Sequence, residues 1–379
     1  MKGKKIIRVS TIPQSLNNFL RGFLKELSKE YEVVAISSPG DALHAIQERE
    51  KVRVVEIPME RHISVFKDIF SLFHLIFVFA KERPSMVHSM TPKAGLLSML
   101  AAWITRVPIR IHTFTGLVFP TSTGFKRKIL MFMDRLTCAC ATNINPESKG
   151  VANDLKRYGI TNKPLKIIAN GNVRGVNLSF FKRTPEVLAK ASGMCDKSSF
   201  TFCFVGRLVG DKGINELVKA FDRLSKDCNA VRLFLIGRRE EKLDPLDDIV
   251  ISILERNKQI TEFGQQNDVR PFLAASDFFV FPSYREGMPN VVLEAGAMGL
   301  PSIVTDINGS NEIVVNGRNG VIIPVKDEEA LYMQMKEWIE CPEIAKAMAE
   351  NARSYVAERY EQQMIWKATL AEYRRLLDN

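Results

Sequence analysis

The chain has 379 residues, more than one compact core usually holds and suited to two domains of roughly 100–200 residues each. Hydrophobic residues make up 46% and charged residues 25%, and no low-complexity tract occurs, so collagen, long coiled coil and wholesale disorder are excluded. Charge is polarised: residues 1–185 carry 29 Lys+Arg against 13 Asp+Glu, and residues 186–379 carry 24 against 30, within a net +10. The two halves therefore offer surfaces of opposite sign to partners.

Taken from the N-terminus, Lys2, Lys4 and Lys5 precede an apolar stretch that Arg8 breaks and that reaches only Ile12. It is read as a first strand, not a signal peptide. Short β-branched runs then alternate with helical periodicity, the pattern of parallel sheets flanked by helices. Strands are predicted over 6–10, 32–37, 53–57, 86–88, 110–113 and 142–144, with a seventh over 166–168 leading into a Gly/Asn-rich loop and a linker near Thr184 and Pro185. The pattern restarts with strands over 200–205, 231–236, 260–263, 278–281, 302–305 and 321–323, which make a second doubly wound sheet. Helices over 328–340, 344–359 and 362–377 follow, with no sheet left to cover. Two such sheets place their carboxyl edges toward a shared cleft, where the active site is expected.

Six cysteines, Cys138, Cys140, Cys195, Cys203, Cys228 and Cys341, form no C-x-x-C pair and read as buried thiols of a reducing compartment. The most apolar segment, 69–80, is well below the ~20 residues a bilayer crossing needs. A helical stretch opened by Lys126, Arg127 and Lys128 places three cations against the helix dipole, which an anionic surface or phosphate nearby would explain. In the helix over 64–81, Phe66, Phe70, Phe73, Phe77 and Phe79 are assigned mostly to the core, with a membrane-facing patch as the alternative.

The chemistry concentrates between Pro282 and Ala295. The strand over 278–281 ends at Pro282, and a helix is expected to begin at Pro289, since proline fits the first helical position. Met288 cannot cap it, which leaves the amides of Asn290 and Val291 at the positive end of a helix dipole, suited to an anionic ligand. Glu286 lies in the loop and Glu294 inside the helix, so they touch different parts of one ligand and are not a glycosidase pair facing one bond. An isolated pair at this spacing is otherwise two solvated glutamates.

Tyr284-Arg-Glu-Gly-Met-Pro-Asn-Val-Val-Leu-Glu-Ala295 resembles the motif of the retaining sugar-nucleotide glycosyltransferases of family 4, and the likeness covers nearly the whole chain. It implies the GT-B fold: an α/β N-terminal acceptor domain over 1–183 with 362–379 packing back on it, and a C-terminal donor domain over 184–361. Glu286 would hold hydroxyls of the transferred sugar and Glu294 the ribose, with Gly287, Met288, Pro289, Asn290 and Val291 lining the donor. Val205-Gly-Arg-Leu-Val-Gly-Asp-Lys-Gly213 is similar to the family's G-R-L-x-x-x-K-G loop, so Arg207 and Lys212, beside Gly206, would grip the diphosphate; a solvated basic loop is the plain alternative. The P-loop spacing is absent. No D-x-D triplet occurs and the histidines are scattered, so no cofactor and no catalytic metal is expected.

Two departures from the family stand out. Thr11-Ile-Pro-Gln-Ser-Leu16 replaces the usual Gly-Gly loop, with Ser15 expected to cap the next helix and approach the phosphates. Arg110-Ile-His-Thr-Phe-Thr-Gly-Leu-Val-Phe119 puts Thr115 where many members carry a histidine. That spelling, with Ser89-Met-Thr-Pro-Lys-Ala-Gly95 and Asn170-Gly-Asn-Val-Arg-Gly-Val-Asn177, resembles the capsule and O-antigen branch. There Thr115 would hydrogen-bond donor or acceptor, and His112 either orients the loop or is a satisfied strand histidine; neither is read as a general base. The function implied is transfer of a sugar, an N-acetylhexosamine, from a UDP-sugar to a polyprenyl-diphosphate-linked saccharide at the inner face of the cell membrane. The alternatives are an epimerase or hydrolase on the same scaffold, and a non-catalytic basic membrane- or nucleic-acid-binding protein, against which no nucleic-acid module is seen.

Overall fold

The computed structural model describes residues 3–60, 62, 64–194, 198–240 and 244–378; Lys2 and Cys195 lie outside the described residues. The chain divides into two compact units, Met1–Arg174 with Gln363–Asn379, and Gly175–Gln362. The division thus falls earlier than the linker at 184, because Val176, Phe181, Val187 and Ala191 are buried in the second unit's core.

The first unit holds strands β1 (Lys5–Val9), β2 (Glu32–Ser37), β3 (Arg53–Glu56), β4 (Met86–Met90), β5 (Ile109–Phe114) and β6 (Asn143–Pro146). All pair in parallel, in the order β3-β2-β1-β4-β5-β6. The strand expected over 166–168 does not form. After one bridge from Leu165 to Ile144, positive φ angles at Ala169 (51°) and Gly171 (89°) turn the chain off the edge of the sheet. Both faces of the sheet are covered, as the period-two alternation of β1 shows. Ile7 and Val9 join a core with Leu75, Phe79, Leu97 and Cys138 from the helices Val65–Glu82, Pro92–Ile104 and Gly124–Cys140. Ile6 joins a second core on the opposite face, with Phe23, Trp366, Leu370 and Tyr373. Arg8 is fully buried on that same side and donates to the Tyr373 hydroxyl, which ties the C-terminal helix Gln362–Asp378 to the sheet.

One assignment to the core is overturned. Of the five phenylalanines in the helix Val65–Glu82 only Phe79 is buried, whereas Phe66, Phe70, Phe73 and Phe77 are 89%, 58%, 63% and 67% exposed. The helix is apolar nearly all round, and its buried side is Ser71, Leu75 and Phe79.

The second unit holds β7 (Phe200–Val205), β8 (Val231–Ile236), β9 (Ile260–Gly264), β10 (Phe278–Phe281), β11 (Ser302–Thr305) and β12 (Gly320–Ile323), in the order β12-β11-β10-β7-β8-β9. Position for position this repeats the order of the first sheet, that of a dinucleotide-binding fold with its reversal between the first and fourth strands. Contrary to expectation, two of the terminal helices do cover this sheet. Glu328–Glu340 packs on Ile214–Asp227 with Trp338 against Phe278, and Pro342–Tyr360 packs on Asn290–Ala297 and β12. Only the third crosses into the first unit's core. Cys138, Cys140, Cys203, Cys228 and Cys341 are free thiols, and burial raises those of Cys138 and Cys203 to about 12.

Candidate active site

β7 and β10 are neighbours at the reversal of the second sheet, so the loops at their carboxyl ends meet. The amide of Tyr284 donates to the Asp211 carbonyl at 3.0 Å, and Arg285 pairs with the Asp211 carboxylate at 2.6 Å. Lys212 Nζ pairs with Glu286 Oε1, which also accepts from Ser283 Oγ at 3.0 Å. Gly213 makes this contact possible. Its φ is +72°, and a Cβ there would lie 2.1 Å from the Pro282 carbonyl oxygen, so the lysine loop rests directly on the glutamate loop only where a side chain is missing. Tyr284 anchors the other side, its hydroxyl 2.6 Å from Glu216 Oε1, with burial first and Glu216 second raising its pKa.

Arg207, from the same loop, pairs with Glu240 at 2.6 Å, and Glu240 also meets Arg238 at 3.3 Å. Gly206 follows β7 with its amide bonded to the Ile236 carbonyl at 2.9 Å, which brings the loop after β8 alongside. Every cation of the two loops therefore sits on a carboxylate. An anion could reach these cations only by taking the place of a carboxylate.

The helix of the motif starts one residue later than expected: Pro289 is the N-cap and Asn290 the first helical residue, over Asn290–Ala297. Pro289 has ψ 112°, an extended value that fixes it outside the helix. No side chain caps the turn, and the Val292 amide reaches back to the Pro289 carbonyl at 3.2 Å. Val291 follows Asn290 in that turn, and Glu294 is its largely buried fifth residue. Gly287 and Met288 are gripped from a third strand end, where Gly309, at φ +77° after β11, would bring a Cβ to 2.3 Å from the Gly287 carbonyl. Sequence reading missed Gly309, Ser283, Asp211 and Glu240. For Gly309 the signal was present in Thr305-Asp-Ile-Asn-Gly-Ser310, a polar, glycine-bearing run straight after a buried strand.

In the first unit the expected residues are spread among different roles. Ser15 does not cap: the helix Pro13–Leu20 begins two residues before it with Ile12 as N-cap, because Pro13 takes the first turn. His112 lies on β5, 2% exposed, with Nδ1 2.9 Å from Ser89 Oγ and its ring edge-on to Phe114. Burial lowers its pKa to about 3, which keeps the ring neutral near pH 7. Thr115 follows the end of β5, half-buried. At the neighbouring end of β4, Thr91 has φ +70°, rare for a β-branched residue, and shares a 2.7 Å hydroxyl contact with Thr11. Lys126 and Lys128 are exposed in the first turn of Gly124–Cys140, whereas Arg127 is spent on packing, 5.2 Å over the Tyr158 ring. Among the described residues no group of three or more His, Cys, Asp or Glu is placed to hold a metal, and no helix is long and apolar enough to cross a membrane.

Residues 16–171 match the glycosyl transferase 4-like domain and residues 190–355 the glycosyl transferases group 1 domain. The capsular polysaccharide biosynthesis glycosyltransferase CapM of Staphylococcus aureus is 32% identical over 379 residues, which is 100% of this chain and 98% of that protein. The UDP-Gal:alpha-D-GlcNAc-diphosphoundecaprenol alpha-1,3-galactosyltransferase of Escherichia coli is 28% identical over 82% of this chain and 81% of its own. The fold is that of Anabaena HepE, solved with UDP and glucose, at a TM-score of 0.81 and 17% identity over 98% of this chain and 99% of that one. Two matched domains, a full-length relative and paired 3-2-1-4-5-6 sheets together place the chain in glycosyltransferase family 4, with the GT-B fold.

Proposed function

We propose that this enzyme moves a sugar, an N-acetylhexosamine, from a uridine diphosphate donor to a polyprenyl-diphosphate-linked saccharide in capsule or O-antigen assembly, with retention at the anomeric carbon. The observation that carries the reading is the pair of cation–carboxylate contacts, Lys212–Glu286 and Arg207–Glu240, at adjoining strand ends. When a donor enters, Lys212 and Arg207 turn from carboxylate to diphosphate. Glu286, released from Lys212 and still held by Ser283, accepts from hydroxyls of the sugar, while Glu294 accepts from the ribose. The diphosphate gains negative charge as the anomeric C–O bond breaks, and two cations already at hand stabilise that charge with little reorganisation. The acceptor hydroxyl forms its new bond on the face the leaving group departs from, and its proton passes to the departing phosphate oxygen. No side-chain base is required, in keeping with a neutral, buried His112. A lipid-linked acceptor also suits a basic first unit that works against an anionic membrane surface. The named substrates of the Escherichia coli relative support the lipid-diphosphate acceptor.

The test is product analysis with a panel of UDP-sugars and a lipid-diphosphate saccharide, with and without EDTA, and with donor alone. An α-linked product from an α-configured donor, formed in EDTA, is expected. Free sugar or an epimer from donor alone, or an inverted linkage, overturns the reading.

A further inference from the structure

We infer that the outer face of the helix Val65–Glu82 is an insertion surface for an anionic lipid bilayer, with Phe66, Phe70, Phe73 and Phe77 entering the headgroup–acyl boundary. The inference deepens the proposed function, on whose membrane-held acceptor it rests for its purpose, and it assigns a defined surface to the contact. These four rings lie at i, i+4, i+7 and i+11, one stripe of a helix. All are more than half exposed, and Val65 and Ile69 beside them are 63% and 47% exposed. Such a row is too large and too continuous to be scattered surface apolarity. A groove of about 390 Å³ beside its first turn is lined by Pro58, Phe66 and Phe70.

Charge decides between a bilayer and another occupant. The helix packs on Pro92–Ile104, which packs in turn on Gly124–Cys140, so the three form one layer on one face of the sheet. Each begins at the carboxyl edge of the parallel strands, which places Phe66 and Lys67 at the same end as Phe125, Lys126 and Lys128. Between residues 64 and 140 there are ten Lys or Arg and only three acidic residues. Each of those acids is engaged or withdrawn. Asp68 is held by Lys93 at 2.6 Å, Glu82 by Lys5 and Arg53 at 2.6 Å each, and burial raises the Asp134 carboxyl to about 7. Glu60, just ahead of the helix, is paired with Lys67 at 2.5 Å. A second copy of the chain is a poor occupant, because a two-fold interface would set this basic layer against itself with no carboxylate to offset it. Exposed aromatics on a layer whose same end carries the exposed cations Lys126 and Lys128 are what an anionic headgroup surface takes.

Cosedimentation of the full chain with vesicles, in the absence of donor and acceptor, tests this apart from any transfer activity. Binding is expected to vesicles of phosphatidylcholine with an equal share of phosphatidylglycerol, and to be weak on phosphatidylcholine alone. Phe70→Ser with Phe73→Ser should weaken binding about tenfold or more, with an unchanged melting temperature and unchanged UDP affinity, since two rings leave the boundary. Lys126→Gln with Lys128→Gln should weaken it about fivefold per charge and flatten its salt dependence. Vesicle binding untouched by the phenylalanine changes overturns the inference. So does a wild-type dimer in sedimentation velocity that those changes dissociate, which would make the face a self-interface. Loss of transfer to the lipid acceptor with vesicle binding intact would count against the proposed function alone.

Discussion

At the strand ends of the second unit Lys212, Arg207 and Arg285 each rest on a carboxylate, whereas Lys126 and Lys128 of the first unit stand exposed in a helix turn that holds no acidic residue. The two sheets share one strand order, so topology does not account for the contrast. Compensated cations hold two adjoining loops against each other, and an anion would reach them only by replacing the carboxylates. Uncompensated cations suit a diffuse negative surface that needs no exchange. The two units thus present two kinds of basic surface, one compensated by carboxylates and one not.

Removing the exchanging partners should have the largest effect. Glu286→Ala is expected to lower kcat by about 100-fold or more, as for loss of a group aimed at the reacting sugar. Lys212→Ala should weaken UDP binding and turnover together, by about 10- to 100-fold, the worth of one charge-assisted contact. The double variant should lose less than the sum of the two, because each alone leaves its partner unpaired. Steady-state kinetics on the three proteins check this; strict additivity would mean that the pair seen between the loops plays no part. Gly213→Ala comes next. It forces a Cβ toward the Pro282 carbonyl at a φ of +72°, costing about 1–3 kcal/mol of strain and shifting Glu286. A lower melting temperature with a roughly 10- to 100-fold fall in kcat/KM is expected, and an unchanged rate would show that the loops are not coupled.

The coupled loops were legible from sequence because each follows a strand rich in aromatic and β-branched residues, Phe200–Val205 and Phe278–Phe281, whose bounds such runs mark well. Their contacts were not. Which carboxylate meets which cation depends on β10 and β8 lying on either side of β7, pairings between residues distant in sequence, and so Glu240 and Asp211 gave no local sign. The stripe of Phe66, Phe70, Phe73 and Phe77 failed for another reason. Helical periodicity finds an apolar face but cannot say which of two such faces meets the sheet, and here the smaller one, Ser71, Leu75 and Phe79, does. Ser71 appears there because its hydroxyl is bonded to the Pro58 carbonyl, a contact outside the helix.

The first unit has its own sensitivity to charge, set by pH. Burial lowers the pKa of His112 to about 3 and that of His88 well below its ordinary value, His88 being flanked also by Arg8. Unfolding returns both to about 6.5. The folded state then binds fewer protons than the unfolded one below that pH, so stability is whole above about 6.5 and is lost as pH falls toward 3. One such histidine contributes a slope of about 1.4 kcal/mol per pH unit in that window. His112→Gln, which keeps a polar partner for Ser89, should remove one of the two slopes, measured by urea unfolding between neutral pH and about pH 5. Parallel curves for variant and parent would mean that His112 protonates in place.

The smallest effect tests the exchange itself. The Arg207 side chain is 39% exposed and Glu240 10%, so their contact is partly screened and worth about 0.2–1 kcal/mol. Glu240→Gln keeps the shape and removes the charge that a diphosphate must displace. If the pair is a competitor for the donor, UDP affinity by calorimetry should rise about 2- to 5-fold, with steeper salt dependence, as Arg207 and Arg238 both lose their offset. If affinity falls instead, Glu240 positions Arg207 for the donor and does not compete with it. The comparison between the units would then narrow to Lys212 and Glu286, where the partner that a phosphate would release is the residue proposed to receive the sugar.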